Sequence, residues 1–160
     1  MFDRAALKRE LIEDEGYELE AYLDTKGKWT IGVGHNLEDC GIPEAICERF
    51  GVTAESAIEC GISPEVCDAL LEHDVDIAKG DAIRFAGQEC WDALSRPRRY
   101  VLMNMAFNLG APKLGKFVNL QSALRLRDHE WAADEILDSK AAKKDAPNRY
   151  RRLAERMRMG

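Results

Sequence analysis

The stretch that decides the fold is EGYELEAYLDTKGKWTIGVGH, which covers residues 15–35. Apolar and polar side chains alternate on both sides of residues 24–28, and Gly27 stands in that segment where a tight turn favours a positive φ. Alternation with a period of two is typical of β-strands. Residues 18–35 therefore predict a small antiparallel hairpin, with room for a third short strand.

Outward from this hairpin the pattern becomes helical in both directions. Before it, Leu7 and Leu11 share one face of a first helix, which Asp3 can cap and which Gly16 ends. After it, glycines, prolines and capping hydroxyls mark further helices, predicted over residues 43–51, 53–61, 64–85, 95–110, 117–127, 129–139 and 147–158.

The segment 64–85 is the longest predicted helix. At 1.5 Å per residue it spans roughly 33 Å, about the diameter of a small domain. We therefore expect a mostly helical α+β fold in a single domain of 160 residues. Its expected parts are an N-terminal lobe with the hairpin (1–63), a connecting helix (64–85) and an all-helical C-terminal lobe (86–160).

Composition and charge exclude several classes of protein. The chain has 46% hydrophobic and 32% charged residues, which is the balance of a globular protein. Its net charge is −6, but residues 1–80 carry 7 basic and 19 acidic side chains (net −12), and residues 81–160 carry 16 and 10 (net +6). An acidic chain disfavours nucleic-acid binding as the main function, whereas the asymmetry indicates a charged partner.

The sequence also bears on location and on the cysteines. No run of about 20 apolar residues is present, so stable membrane insertion is not expected. The charged first ten residues hold no apolar core, so no signal peptide is predicted. The five cysteines are then expected to be reduced and mostly buried, and their spacing suits no metal site.

The last predicted helix is basic and amphipathic. Tyr150, Leu153 and Met157 form its apolar stripe, and arginines flank the stripe. Such a helix can lie on anionic lipid. We favour the alternative, in which the stripe docks on its own lobe while the arginines face solvent.

Three side chains of the opening stretch can carry chemistry. Glu15 ends the first helix, Asp24 ends the first strand and Thr30 lies on the second strand, so a cleft beside the hairpin can collect them. Two facing carboxyl groups are the minimum apparatus for glycoside hydrolysis, because one protonates the leaving oxygen while the other stays ionised. A threonine hydroxyl can hold a water without adding charge.

Other kinds of site are weaker interpretations of this region. Gly32 and Gly34 suggest a nucleotide loop, but a third glycine and a following helix are missing. Cys40 near His35 suggests a thiol hydrolase, but no activating surroundings are visible for the thiol. On pattern alone, the acidic residues of the first half are mostly solvated surface.

The order and spacing of these residues resemble a known family. Glu15, eight residues, Asp24, five residues and Thr30 is the pattern of the phage-type lysozymes (endolysins) of glycoside hydrolase family 24, typified by the T-even phage enzyme. The resemblance runs in order along nearly the whole chain and is weakest over residues 36–62. The further matches are residues 73–76, 104–110 and 147–149, Phe117 and Trp131.

The resemblance implies a two-lobed lysozyme-like fold and a muramidase activity. The bond cleaved would be the β-1,4 bond between N-acetylmuramic acid and N-acetylglucosamine in peptidoglycan, with inversion. Glu15 would be the general acid, and Asp24 and Thr30 would hold and activate the attacking water. The resemblance implies no metal and no organic cofactor.

It also implies roles for residues outside this trio. Substrate would contact Gly34, Asn36, Phe107 and Asn108. The supporting residues would be Arg149, which positions the catalytic glutamate, the structural pair His35 and Asp74, and Asn104 in the cleft lining. Three residues depart from the T-even pattern: Lys26 replaces an acidic residue at the cleft edge, Asn36 replaces an aliphatic residue, and Leu120 replaces a serine that contacts sugar.

The partner expected from the resemblance is bacterial peptidoglycan, bound by a monomer without nucleic acid. A phage or prophage endolysin without a signal peptide would collect in the host cytoplasm and would need a holin-type pore to reach the periplasm and cell wall. Two alternatives stay open at this point. One is a non-catalytic wall-binding protein on a lysozyme fold, and the other is a Cys-dependent peptidoglycan amidase.

Overall fold

The computed structural model describes residues 4–160, so the predicted Asp3 cap lies outside the described residues. The chain forms two compact units, and the division between them lies between Asp76 and Ile77. That division falls inside the connecting helix predicted from the sequence.

The N-terminal unit contains a three-stranded sheet and several helices. The antiparallel hairpin predicted over residues 18–35 is confirmed, together with a third short strand. The elements are α1 (Arg4–Glu15), β1 (Glu18–Leu23), β2 (Trp29–Gly32), β3 (His35–Asn36), α2 (Leu37–Cys40), α3 (Glu44–Phe50), α4 (Ala54–Cys60) and the first part of α5 (Pro64–Ala86).

The sheet has the order β1-β2-β3, with both pairs antiparallel. Its first ladder is irregular: Glu18 pairs with Gly32, but Tyr22 pairs with Thr30, so β1 contains a bulge. Along β1 the half-buried and exposed residues alternate up to Ala21, but Tyr22 is half-buried and Leu23, beside the turn, is 55% exposed, so the strict alternation predicted for β1 does not hold.

Packing and charge hold the helices of this unit in place. Leu7 and Leu11, on the predicted face of α1, are each 1% exposed. The core beside the sheet is built from Ile31, Leu37, Ile46, Val52, Ala57, Val66 and Leu70. Basic residues of α1 pair with an acidic ladder on α5, in the ion pairs Arg4–Glu72, Arg4–Asp76, Lys8–Asp68 and Lys8–Glu72.

The C-terminal unit is helical throughout. Seven consecutive residues of its central helix, 100–106, are buried, as the apolar sequence predicts. The elements after α5 are α6 (Gln88–Ala93), α7 (Arg96–Leu109), α8 (Ala111–Leu114), α9 (Val118–Arg125), α10 (His129–Asp138), a π-helical turn (Ala141–Asp145) and α11 (Pro147–Met159). The predicted mostly helical α+β class is therefore confirmed.

The last helix docks on its own unit, as favoured from the sequence. Tyr150, Leu153 and Met157 are each 0% exposed, so the apolar stripe is packed inside the unit and is not presented to lipid. The expectation that the arginines face solvent is wrong for Arg149, which is 6% exposed. Arg158 stays at the surface, where its guanidinium binds Glu130 at 2.6 Å and Asp134 at 2.7 Å, both on α10.

Two further outcomes differ from expectation. The short elements α2, α6, α8 and the π-helical turn were not predicted, because a single turn carries too little periodic pattern to recognise. All five cysteines are free, but only Cys67 is buried, so the expected burial is wrong for the others. Among residues 4–160, no helix is both long and apolar enough to cross a membrane.

Candidate active site

Glu15 is the last residue of α1 and is half-buried. The helix ends there because Gly16 turns the chain at φ +88°, while its N–H donates to the Ile12 carbonyl at 2.9 Å. Gly34, after β2, lies against the glutamate: a Cβ at Gly34 would stand 3.4 Å from Glu15 Oε2. The lack of a side chain at Gly34, whose φ is +71°, therefore lets the sheet backbone approach this carboxyl group.

Asp24 follows β1 directly and opens the turn to β2. Its Oδ1 accepts the N–H groups of Lys26 at 2.8 Å and of Lys28 at 2.9 Å. Two backbone donors stabilise the ionised form, and they lower the pKa of this carboxyl below its ordinary value, with the Lys28 N–H as the largest cause. The turn thus holds one oxygen of a carboxylate and keeps the group charged.

Thr30 lies on β2 and is only 5% exposed. Its Oγ1 donates to the carbonyl of Lys28 at 3.1 Å, since a carbonyl oxygen can only accept. In the two ladders Thr30 stands directly opposite Tyr22 on one side and Asn36 on the other. These three side chains therefore share one face of the sheet.

Tyr22 connects the two carboxyl groups electrostatically. The pKa of its phenol is raised, first by burial and then by the negative charges of Glu15, Glu18 and Asp24. Glu15 and Asp24 therefore both lie within electrostatic reach of one side chain on the Thr30 face of the sheet. The three predicted residues come from a helix end, a turn and a strand of the N-terminal unit, and Tyr22 is the side chain near which all three lie.

Asn36 is engaged by the helix that follows it. Its Oδ1 accepts the N–H of Asp39 at 3.0 Å and caps α2, and its Nδ2 donates to Asp39 Oδ2 at 2.9 Å. The same carboxylate binds Lys28, whose Nζ lies 2.6 Å from Oδ1 and 2.5 Å from Oδ2. The side chain predicted to contact sugar is thus part of a hydrogen-bonded group beside Asp24 and Thr30.

His35 and Asp74 form the predicted pair. The ring Nδ1 lies 2.8 Å from Asp74 Oδ2, and Nε2 lies 2.7 Å from the Gly41 carbonyl oxygen. Burial alone lowers the pKa of His35, but the hydrogen bond and charge of Asp74 outweigh it, and the net pKa is raised. Both ring nitrogens are engaged, as expected of a residue that fastens the sheet to α5.

The other predicted residues lie in the C-terminal unit. Arg149 is buried, and its Nε donates to Asn104 Oδ1 at 2.7 Å while Nη2 donates to the Asn104 carbonyl at 3.3 Å. Asn108 is exposed and accepts the hydroxyl of Tyr150 at 3.0 Å, and Phe107 is half-buried. A basic side chain of α11 is thus fixed on the buried face of α7.

Sequence reasoning missed Lys28 and Asp39. They lie eleven residues apart on a turn and a short helix, and no periodicity connects them. Opposite charge was the only available signal, and it is shared by many surface residues in this chain. Within the part of the chain that the structure describes, no group of three or more His, Cys, Asp or Glu side chains could hold a metal ion.

Comparison with known proteins gives a consistent result. The family model "Phage lysozyme" matches residues 12–156. A protein named probable T4-type lysozyme 2, from Dictyostelium discoideum, is 32% identical over 139 residues, which cover 82% of this chain and 81% of that protein. The endolysin of Salmonella phage P22 is 31% identical over 139 residues (84% and 81%).

A third relative is a much longer protein. The pre-baseplate central spike protein Gp5 of Enterobacteria phage T4 is 30% identical over 138 residues, which cover 81% of this chain but 24% of the spike protein. The family model, which matches residues 12–156, covers Glu15, Asp24 and Thr30 as well as the buried helices of the C-terminal unit. The resemblance drawn from the sequence is thereby confirmed: the chain belongs to the phage lysozyme family and is a glycoside hydrolase of the lysozyme type.

Proposed function

We propose that this lysozyme is a muramidase, which hydrolyses the β-1,4 bond between N-acetylmuramic acid and N-acetylglucosamine of peptidoglycan with inversion at the anomeric carbon. The observation that carries the proposal is the polar arrangement around Tyr22. It combines a half-buried carboxyl group at Glu15, an ionised carboxylate at Asp24 and an oriented hydroxyl at Thr30. An inverting glycosidase requires the two carboxyl groups, one as acid and one as base, and the hydroxyl can help to hold the water.

In the proposed reaction Glu15 is the general acid. It gives its proton to the glycosidic oxygen as the bond from that oxygen to the anomeric carbon breaks. A water attacks the opposite side of the sugar, and Asp24 takes a proton from it. The backbone N–H groups of Lys26 and Lys28 hold Asp24 Oδ1, so Oδ2 is the oxygen that serves as base. An inverting site leaves roughly 6.5–9.5 Å between the two carboxyl groups for the water.

Thr30 orients this water as an acceptor. Its hydroxyl hydrogen is used in the bond to the Lys28 carbonyl, so the lone pairs of Oγ1 can accept from the water. The two water hydrogens then point to Asp24 and Thr30, and an oxygen lone pair is left to attack the sugar. Thr30 fixes the direction of the nucleophile, while the proton passes to Asp24.

The remaining predicted residues are proposed to bind or support. Gly34, Asn36, Phe107 and Asn108 are the proposed substrate contacts. Asn36 retains one amide hydrogen beyond its bond to Asp39, which a sugar oxygen can accept. Arg149, held by Asn104, is proposed to position Glu15 and not to react itself.

The biological role proposed is that of a phage or prophage endolysin in host cell lysis. The supporting comparison is the endolysin of phage P22, which matches along 84% of this chain. The enzyme would act as a monomer on peptidoglycan, without nucleic acid or membrane insertion. It would collect in the host cytoplasm and reach the periplasm and cell wall through a holin-type pore.

The test is the hydrolysis of purified sacculi. We expect a loss of turbidity, new reducing ends and muropeptides that mass spectrometry identifies as muramidase products. Proton NMR of the first products should give the α-anomer for inversion. Glu15→Gln should lower the rate about 10²- to 10⁴-fold, because the acid is lost while the shape of the side chain is kept. An active Glu15→Gln enzyme would contradict the mechanism.

The same assay separates the alternatives. A wall-binding protein would sediment with sacculi and release nothing, and a Cys-dependent amidase would release stem peptides and be inhibited by thiol reagents. The structure gives a specific reason to disfavour the amidase. Partial desolvation and the negative charges of Asp74 and Asp39 raise the pKa of the Cys40 thiol, although the residue as a whole is exposed. His35 has both ring nitrogens engaged by Asp74 and Gly41, so it is not available as a base for this thiol.

A further inference from the structure

The backbone of Lys28 is hydrogen-bonded to both the Asp24 carboxylate and the Thr30 hydroxyl. Its N–H donates to Asp24 Oδ1 at 2.9 Å. Its carbonyl accepts the Asp24 N–H at 2.9 Å and the Thr30 hydroxyl at 3.1 Å. Any displacement of the Lys28 backbone therefore moves the carboxylate and the hydroxyl together.

The side chain of Lys28 is fastened to another part of the unit. Its Nζ bridges both oxygens of Asp39, at 2.6 and 2.5 Å. Asp39 is held in turn by Asn36, which accepts the Asp39 N–H and donates to its Oδ2. We call Lys28, Asn36 and Asp39 the Lys28 clamp.

The clamp closes a loop of contacts around Thr30. Asn36 stands directly opposite Thr30 in the β2–β3 ladder. Lys28 is the turn residue directly before β2, two residues before Thr30, and Asp39 lies in the first turn of α2. The Lys28–Asp39 ion pair thus connects the end of the β1–β2 turn to α2. This helix begins directly after Asn36, the residue opposite Thr30.

The β1–β2 turn has few other anchors. Thr25, Lys26 and Gly27 are exposed, and Leu23, the last residue of β1, is also exposed. The bulge in β1 leaves regular pairing with β2 only near the turn. None of the side chains of residues 24–28 joins the apolar core, and the nearest core contact is that of Trp29 at the start of β2. The position of the Lys28 side chain therefore depends on polar contacts, and Lys28–Asp39 is the only ion pair made by the described residues of the turn.

We propose that Lys28, held by Asp39 and Asn36, is a positioning residue that sets Asp24 and Thr30 for the attacking water. The proposal rests on the proposed function, since it assumes that these two groups handle the water. Exposed ion pairs contribute little to global stability. The clamp should therefore affect the reaction more than the fold.

The test removes the ammonium group while keeping its aliphatic stem. In Lys28→Met we expect kcat on sacculi to fall about three- to tenfold with KM within about twofold, because a small misplacement of catalytic groups slows the chemical step. Asp39→Asn should do the same. The double variant should be no slower than either single variant, because both remove one interaction.

A pH profile distinguishes positioning from a general structural effect. When the Lys28 N–H is no longer aligned on Asp24, the carboxylate loses part of the stabilisation that lowers its pKa. The acidic limb of the kcat profile should then move to higher pH in Lys28→Met. The matched control is Lys143→Met, which removes an exposed Lys143–Asp138 ion pair in the other unit and should leave kcat and the acidic limb unchanged.

The proposal is overturned if Lys28→Met and Asp39→Asn keep the wild-type kcat and acidic limb. It is also overturned if the two losses simply multiply in the double variant, or if Lys143→Met has the same effects. Failure of the proposed function is a different result. In that case wild-type enzyme releases no reducing ends, or Glu15→Gln stays active, whatever Lys28→Met does.

Discussion

Replacing Asp74 by asparagine tests the charge state of a buried histidine. His35 is 3% exposed and the Asp74 side chain 19% exposed. The Gly41 carbonyl can only accept, so Nε2 of His35 carries a hydrogen, and an ionised Asp74 can only accept, so Nδ1 carries one too. Both contacts are satisfied together when His35 is an imidazolium, and this is the charge state that the substitution tests. Asparagine keeps the shape of the Asp74 side chain but removes the negative charge that compensates a positive charge on His35.

The size of the effect follows from the contacts that change. A hydrogen bond between charged groups contributes about 1.5–3 kcal/mol to stability. Loss of one partner from a fully buried pair costs about 3–5 kcal/mol. Asp74 is partly exposed, so the loss expected for this pair is smaller. We expect Asp74→Asn to destabilise the protein by about 2 kcal/mol at mildly acidic pH. In a chain of this size that lowers Tm by about 4–8 °C.

The direction in which the destabilisation changes with pH follows from the shifted pKa of His35. The folded pKa of His35 is raised above its unfolded value of about 6.5. The stabilisation is therefore fully present below that pH and is lost as the pH rises through the folded pKa. Thermal unfolding followed by circular dichroism should show the largest Tm difference between wild type and Asp74→Asn near about pH 5.5, and a shrinking difference in more alkaline buffers.

Asp76→Asn provides the matched control on the same helix. Asp76 pairs with Arg4, whose charge does not change over this pH range, so its Tm effect should stay level. A difference for Asp74→Asn that is constant with pH, or that grows as the pH rises, would refute the imidazolium assignment. An NMR titration of the His35 ring then measures its pKa directly.

Three other substitutions give further tests, two in the N-terminal unit and one in the C-terminal unit. Gly34→Ala places a Cβ 3.4 Å from Glu15 Oε2 at a φ of +71°, so it should cost about 1–2 kcal/mol in strain and also lower kcat. Gly51→Ala, with a φ of +66° and no atom within 4 Å, should show a similar loss in urea unfolding with unchanged kcat. Asn104→Ala removes the side-chain oxygen that accepts from buried Arg149 and should cost about 2–3 kcal/mol in the same unfolding measurement, and a loss below half of that would contradict this bond's role.

The helices that could be predicted are those whose ends have local signals. Gly51 closes α3 in the left-handed conformation, with its N–H on the Cys47 carbonyl. Thr53 caps α4 in a reciprocal capping box with Ser56, and Ser95 caps α7. These contacts join residues within one helical turn, so a sequence contains all the information needed to place them.

The features that could not be predicted depend on more distant partners. The bulge in β1 depends on how the strand meets β2, and nothing within Glu18–Leu23 marks it. The incomplete burial of four cysteines, two exposed and two half-buried, depends on which helix faces are covered by neighbours. The pairing of Arg158 with α10 similarly joins residues 24 and 28 positions apart, although the apolar stripe of the same helix was plain from its period.

The trio shows the same boundary between local and distant information. Its residue types and spacing could be predicted, because a strand and a turn fix how far Thr30 lies from Asp24 along the chain. The hydrogen-bonding role of each side-chain atom could not be predicted. Asp24 is ionised because two N–H groups of its own turn bind one oxygen, and Thr30 is an acceptor because its hydrogen is given to the Lys28 carbonyl. Lys28 takes part in both contacts, and its side chain pairs with Asp39 on another element. If the proposed positioning role holds, the chemistry of Asp24 and Thr30 depends on a third residue, which no spacing rule would select.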